Sequence, residues 1–189
     1  VRNGLLEPAD VEPLLREFAR RISEDGQRAT VRVVGGAAIA LLNPDRRLTQ
    51  DIDVAIHPSG SWSHVAAAMA AEHGLAPDWI NDAVAARLPF VGREEWHELV
   101  RHGEVAVLVA SPRLLLAMKL FANRGVRDTD DIHFLLDACG VDSLEKAQEI
   151  YEEYHAQELL SASAELRVRN WIRSRRGGAD SPGETDSRQ

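Results

Sequence analysis

The segment RVVGGAAIALLNPDRRLTQDIDVAI, residues 32–56, constrains this chain more than any other. The apolar run ATVRVV, residues 29–34, reads as a strand that ends at Gly35-Gly36. Residues 37–42, AAIALL, are too short and too alanine-rich for a second strand, and fit a short helix opening at the glycines. Residues 51–56, DIDVAI, alternate and then run apolar, as a half-buried strand does. That alternation places Asp51 and Asp53 on one face of the strand and Ile52 and Val54 on the other.

Each half of this unit has two readings. Two carboxylates on one strand face repel unless a cation lies between them, and oxygen ligands of this kind suit Mg²⁺. The same Asp-x-Asp also fits a strand entering from a polar loop with both acids solvated. Backbone amides at Gly35 and Gly36 can approach a phosphate at the positive end of a helix, with no Cβ in the way. An ordinary tight turn would use the same two residues. The pattern is neither the dinucleotide G-x-G-x-x-G nor a P-loop, because no Gly-Lys-Ser/Thr follows. Taken together, the glycines and the acids form a hairpin-like unit that sets amide donors for phosphate opposite metal ligands.

The rest of the chain supports an ordinary folded domain. At 189 residues, with 44% hydrophobic and 28% charged residues, it can fill one core with a small helical addition. No apolar run approaches the roughly 20 residues of a membrane span. The opening VRNGLLEPAD has no apolar h-region, so a cytoplasmic location without a membrane partner is expected. The single cysteine, Cys139, ends a helical pattern and reads as a buried structural thiol. A net charge of −8 argues against nucleic-acid binding through overall charge, though not against a local basic patch.

Apolar spacing predicts a helix over residues 8–24. A second is expected after Ser61 or Ser63, closed by Gly74, and a strand over residues 104–110. Residues 76–102 read only as short elements and loops. From Ser111, an N-cap followed by proline, every pattern is helical. The organisation expected is a strand-and-helix core over residues 1–110, a helical part over 111–176 and a mobile tail over 177–189.

Val34, Gly35 and Gly36 followed by Asp51-Ile52-Asp53-Val54 resemble the signature of the nucleotidyltransferase superfamily of DNA polymerase β type. RRLTQDIDV is similar to the Arg-x-Thr-x-Asp-x-Asp of its minimal bacterial branch, with Arg47 and Thr49 at the matching positions. LLLAMKLFANRGVRDTDDIHFLL resembles the Lys-containing helix and Arg-Asp-x-x-Asp helix of the AbiEii and MenT nucleotidyltransferase toxins, with Lys119, Arg127, Asp128 and Asp131 matching. The likeness covers residues 31–137. It implies an α/β fold: a small mixed, twisted sheet flanked by helices, then a helical C-terminal part. It also implies transfer of a nucleoside monophosphate from an NTP to a hydroxyl. In that reading Asp51 and Asp53 hold Mg²⁺, while Gly35, Gly36, Arg47 and Lys119 bind the nucleotide. Asp131 is a third acid or general base, with Asp128 and Arg127 as accessories. The implied acceptor is the 3′ end of tRNA, and the implied partner a cognate antitoxin. A small-molecule nucleotidyltransferase of aminoglycoside type, a silent binding module and an antitoxin-like protein are the alternatives.

The remaining residues are ambiguous one by one. Lys119 shares a helical stripe with residues 115, 118 and 122, so it either snorkels to solvent or reaches into a site. Asp128, Asp130 and Asp131 cluster at a helix start, where carboxylates also stabilise the helix dipole. Glu104, at a strand edge, is a weak third-acid candidate. The arginines between residues 165 and 176 form either a solvated helix end or a basic strip for RNA. Thr49, two residues before Asp51, is the nearest hydroxyl for a regulatory phosphorylation, or simply a β-branched residue opening a strand.

Overall fold

The computed structural model describes residues 5–59, 62–89 and 91–179. The elements run α1 (Pro8–Glu24), β1 (Ala29–Val33), α2 (Gly35–Leu42), β2 (Ile52–His57), α3 (Ser63–His73), β3 (Ile80–Asn81), β4 (Trp96–His102) and β5 (Val105–Ala110). The helices α4 (Pro112–Ala122), α5 (Thr129–Ala138), α6 (Leu144–Tyr154) and α7 (Ala162–Ala179) follow. The mixed α/β architecture expected from the sequence is the one found.

The five strands form one sheet in the order β3-β2-β1-β5-β4. β1 runs antiparallel to β2 and parallel to β5, while β4 and β5 form an antiparallel hairpin. Apolar residues of alternate parity carry the core: Val31, Val33, Ile52 and Val54 are fully buried. Their neighbours Arg32, Asp53 and Ala55 lie on the less covered face. α1 lays Val11, Leu14, Leu15, Phe18 and Ile22 into the core, the stripe that its sequence spacing predicts. One continuous apolar cluster joins the sheet to α4, α5, α6 and α7. The helical second part therefore shares its interior with the strand-and-helix part.

Helix boundaries follow local chemistry. The Ser111 hydroxyl accepts the Leu114 amide, and Pro112 occupies the first turn of α4. Gly74 closes α3 with a left-handed φ of 63°. Ser63 is the first residue of α3 rather than its cap; Trp62 occupies the cap position and makes no side-chain bond there. Ser61, the other proposed cap, lies outside the described residues. α7 continues to Ala179, past the boundary expected at residue 176, and residues 180–189 of the proposed tail lie outside the description.

The seven-residue strand β4 was not evident in the sequence. Its register shifts between Glu98 and Val100, so the alternation that marks a strand breaks in its middle. As an edge strand it also buries little on either face. Glu104 sits in the turn between β4 and β5, where its carbonyl accepts the Ala29 amide. Asp53, whose carbonyl accepts the Val34 amide, lies beside the other end of β1. Glu104 is thus about 17 Å of strand away from the acidic pair, at roughly 3.3 Å per residue.

Candidate active site

The loop from β1 into α2 places Gly35 against Asp53. Gly35 has a φ of 66°, and a Cβ there would overlap Asp53 Oδ2. Only glycine accepts both the left-handed backbone and the close approach. At Gly36 a Cβ would come within 2.9 Å of both Arg46 Nη2 and Thr49 Oγ1. No side chain caps α2. Helix geometry leaves the amides of its first turn without intrahelical partners, beside the Asp53 carboxylate.

Asp51 and Asp53 take the shared face that alternation predicts, while Ile52 and Val54 are fully buried. Asn81, on β3 beside β2, donates to Asp51 Oδ2 at 3.1 Å. Burial, and then the neighbouring Asp51 charge, push the Asp53 carboxyl above its usual range, against the pull of Arg124, Lys119 and Arg127. A pair whose joint ionisation is opposed in this way gains from a cation. The donor set fits Mg²⁺: hard carboxylate oxygens, with substrate phosphates and water left to complete the shell. Among the described residues, one group of three side chains has metal-ligand spacing, Glu17, Glu72 and His73. Its carboxylates are already bonded to Arg21.

Lys119 does not snorkel. It is 7% exposed, and its Nζ lies 2.8 Å from Asp128 Oδ1 and 2.9 Å from Asp131 Oδ2. Asp131 also takes a two-pronged contact from Arg46, Nε to Oδ1 at 2.8 Å and Nη2 to Oδ2 at 2.9 Å. Asp128 Oδ2 accepts the Arg124 backbone amide at 2.8 Å. For both acids burial is the largest influence and pushes the carboxyl up. Lys119 and the Arg124 amide at Asp128, and Arg46 with Lys119 at Asp131, outweigh it and hold both below the usual range. Asp131 is therefore a fully engaged, weakly basic carboxylate. Two buried cations and two buried anions together link the α2–β2 turn, α4 and the start of α5.

A cavity of about 380 Å³ opens over this arrangement, with Gly35, Asp53, Lys119 and Arg124 among its lining residues. Its other lining residues include Leu115, Met118 and Ala122, the stripe that the α4 sequence predicts to run with Lys119. Residues 14–174 match the family described as nucleotidyltransferase of unknown function, DUF6036. The chain belongs to that family. No curated protein and no solved structure matches this member of DUF6036.

The structure brings Gly35, Gly36, Asp51, Asp53, Lys119, Asp128 and Asp131 into one neighbourhood. Arg47 and Arg127 are exposed at its edge, where the Arg47 guanidinium donates to the Arg127 carbonyl. Thr49 points inward instead. It is 8% exposed, its backbone bridges to Leu6, and its hydroxyl donates to the Asp51 carbonyl at 3.2 Å. A phosphate on Thr49 would first have to break the hydroxyl's bond to the Asp51 carbonyl.

Sequence reasoning passed over Arg46, Asn81, Arg124 and Arg87, the last a further residue lining the cavity. Arg46 adjoins the quoted Arg47, and only the turn geometry decides which of the two faces inward. Arg124 follows Asn123, whose left-handed φ of 35° ends α4 and turns the chain toward the cavity. Arg167 of α7 fastens this turn by donating to Asn123 Oδ1, the Gly125 carbonyl and Thr129 Oγ1. Cys139 is partly buried, and burial raises its thiol to about 11, as suits an unreactive structural cysteine. Among the described residues, no helix is long and apolar enough to cross a membrane.

Proposed function

We propose that this chain transfers a nucleoside monophosphate from an NTP to an acceptor hydroxyl and releases pyrophosphate. The observation that carries the reading is the Asp53 carboxylate held against Gly35, beside an uncapped first helical turn and inside a cavity that Lys119 and Arg124 also line. Asp51 and Asp53 would hold Mg²⁺, which would supply positive charge to the phosphates and to the attacking oxygen. The amides of Gly35 and Gly36 bind phosphate oxygens. Arg124 and Arg127 add the exposed guanidinium groups that a triphosphate requires, and Arg47 supports the Arg127 end of the loop. Lys119 faces the same phosphates from below. Asp128 and Asp131 fix its ammonium and the Arg46 guanidinium in place, so Asp131 positions rather than removes a proton. In the transfer, the acceptor oxygen bonds to the α-phosphorus as the bond to the β-phosphate oxygen breaks, and the acceptor proton leaves to solvent.

The acceptor proposed is the 3′ end of tRNA, with growth arrest as the outcome and a cognate antitoxin as partner; the toxin-like motif around Lys119 and Asp131 supports this. A small-molecule acceptor is the second reading. It is favoured by the α7 arginines, several of which are paired with neighbouring groups rather than forming a free basic strip. Arg169 pairs with Glu165, Arg175 with Asp137, and Arg167 holds the α4–α5 turn. Incubation with Mg²⁺ and each α-labelled NTP, with total tRNA in one arm and an aminoglycoside pool in the other, separates the two. Label should enter one acceptor and be lost in Asp51→Asn. Label in neither acceptor would overturn the proposal.

A further inference from the structure

The cavity is lined both by charged groups and by aromatic rings. Phe121, on the last turn of α4, is 59% exposed and lines the cavity together with His155. One face of its ring is covered. His155 lies parallel to it, with centroids 4.7 Å apart and planes 8° from parallel. Tyr151 backs His155 in turn at 4.7 Å and 26°. His155 Nε2 is buried and makes no hydrogen bond, so packing rather than polar contact holds that ring in the column. Burial lowers the His155 pKa, against the pull of Glu158, which favours a neutral ring well suited to stacking.

An exposed phenyl ring is stiffened from behind by two stacked rings, beside a charged site. Exposure of so much aromatic surface is unfavourable in water unless something covers it. The cavity between Phe121 and Asp53 also holds Met118 and Leu115, so its apolar lining is continuous with the ring. Lys119, Arg124 and the Gly35 turn line the same cavity. A ligand that complements both kinds of lining carries phosphates and a flat aromatic group.

We propose that Phe121, backed by His155 and Tyr151, is the stacking platform for a nucleobase whose phosphates lie toward Gly35, Lys119 and Arg124. This rests on the nucleotidyl-transfer reading and adds to it the surface that holds the base. The base is that of the incoming NTP or of the acceptor end, and one experiment distinguishes them. Stacking is indifferent to base identity, because every base has a π-face. The platform therefore supplies affinity without strong selection among the four NTPs.

The test is equilibrium binding by titration calorimetry with three probes: the Mg²⁺ complexes of the four NTPs, inorganic tripolyphosphate with Mg²⁺, and a short single-stranded RNA with a 3′ hydroxyl. Phe121→Ala should weaken NTP binding by roughly 5- to 150-fold, the range that loss of one base–aromatic stack produces. Tripolyphosphate affinity should not change, and Phe121→Trp should restore NTP affinity. If RNA affinity falls while NTP affinity holds, the platform takes the acceptor base. If Phe121→Ala leaves both unchanged, or weakens tripolyphosphate by the same factor as NTP, the platform is overturned while nucleotidyl transfer stands. If the unaltered protein binds no Mg-NTP, both readings fall.

Discussion

Replacing Lys119 with methionine tests whether the charge network beneath the cavity is part of the fold. The substitution keeps the apolar stem and removes an ammonium that lies within 2.9 Å of two carboxylates, with Asp128 fully buried and Asp131 2% exposed. Breaking a buried ion pair costs about 3–5 kcal/mol. Asp131 would keep both Arg46 contacts and Asp128 the Arg124 amide, which places the loss near the lower end, about 3 kcal/mol. For a chain of this size that is roughly 6–12 °C in melting temperature.

The pH dependence supplies a sharper signature. In the unaltered protein both folded carboxyls are held below the usual range, so their ionised forms contribute stability above about pH 4, lost as pH falls through the folded values. In Lys119→Met the burial that now opposes ionisation prevails at Asp128, and its carboxyl rises. A raised carboxyl takes up its proton in the folded state first, so the variant recovers stability as pH falls from neutral toward 5. Urea denaturation at pH 7.5 and pH 5 should show the difference between the two proteins narrowing. A difference below about 1 kcal/mol at pH 7.5 would place Lys119 in the range of solvated surface pairs and refute the reasoning. So would a difference that does not change with pH. The Lys119 position alone suggested a nucleotide contact with little structural weight; its burial between two acids gives it that structural weight.

Three further outcomes follow from the same geometry. Asp53→Asn should abolish transfer yet melt no lower without Mg²⁺ at neutral pH. Burial and Asp51 raise the Asp53 carboxyl, so its ionisation above about pH 4 disfavours folding, and a lower melting temperature would contradict this. Gly35→Ala should lose transfer activity and at least about 1–2 kcal/mol of stability, from its positive φ and the overlap with Asp53; unfolding at the same urea concentration as the unaltered protein would count against it. Arg124→Gln should raise the KM for Mg-NTP while changing stability by less than about 1 kcal/mol, since its side chain is 54% exposed and 3.4 Å from Asp128; an unchanged KM would remove Arg124 from the phosphate site.

Local rules account for the parts of this molecule that one element decides alone. The α1 stripe, the Ser111-Pro112 start of α4, the Gly74 stop of α3 and the shared face of Asp51 and Asp53 are set by periodicity and capping within a few residues. So is the placement of Gly35-Gly36 between a strand and a short helix. Elements whose local signal is interrupted stay hidden. β4 is an edge strand with a register shift, and β3 is two residues long, so neither carries a readable period.

Tertiary structure decides what each charged residue meets. Nothing in the α4 sequence says that Lys119 faces two acids from the start of α5, or that Arg46 rather than Arg47 reaches Asp131 from 85 positions away. Those partners come from the fold, because burial makes an unpaired charge costly and so selects whichever opposite charge the packing brings near. The same holds for Asn81 at Asp51, for Arg167 at the α4–α5 turn and for His155 behind Phe121. The sequence by itself determined the chemistry that two glycines and two aspartates can support. The packing of α4, α5 and α6 decided which cations and which aromatic ring stand beside them, since those residues come from distant segments whose positions only the shared core defines.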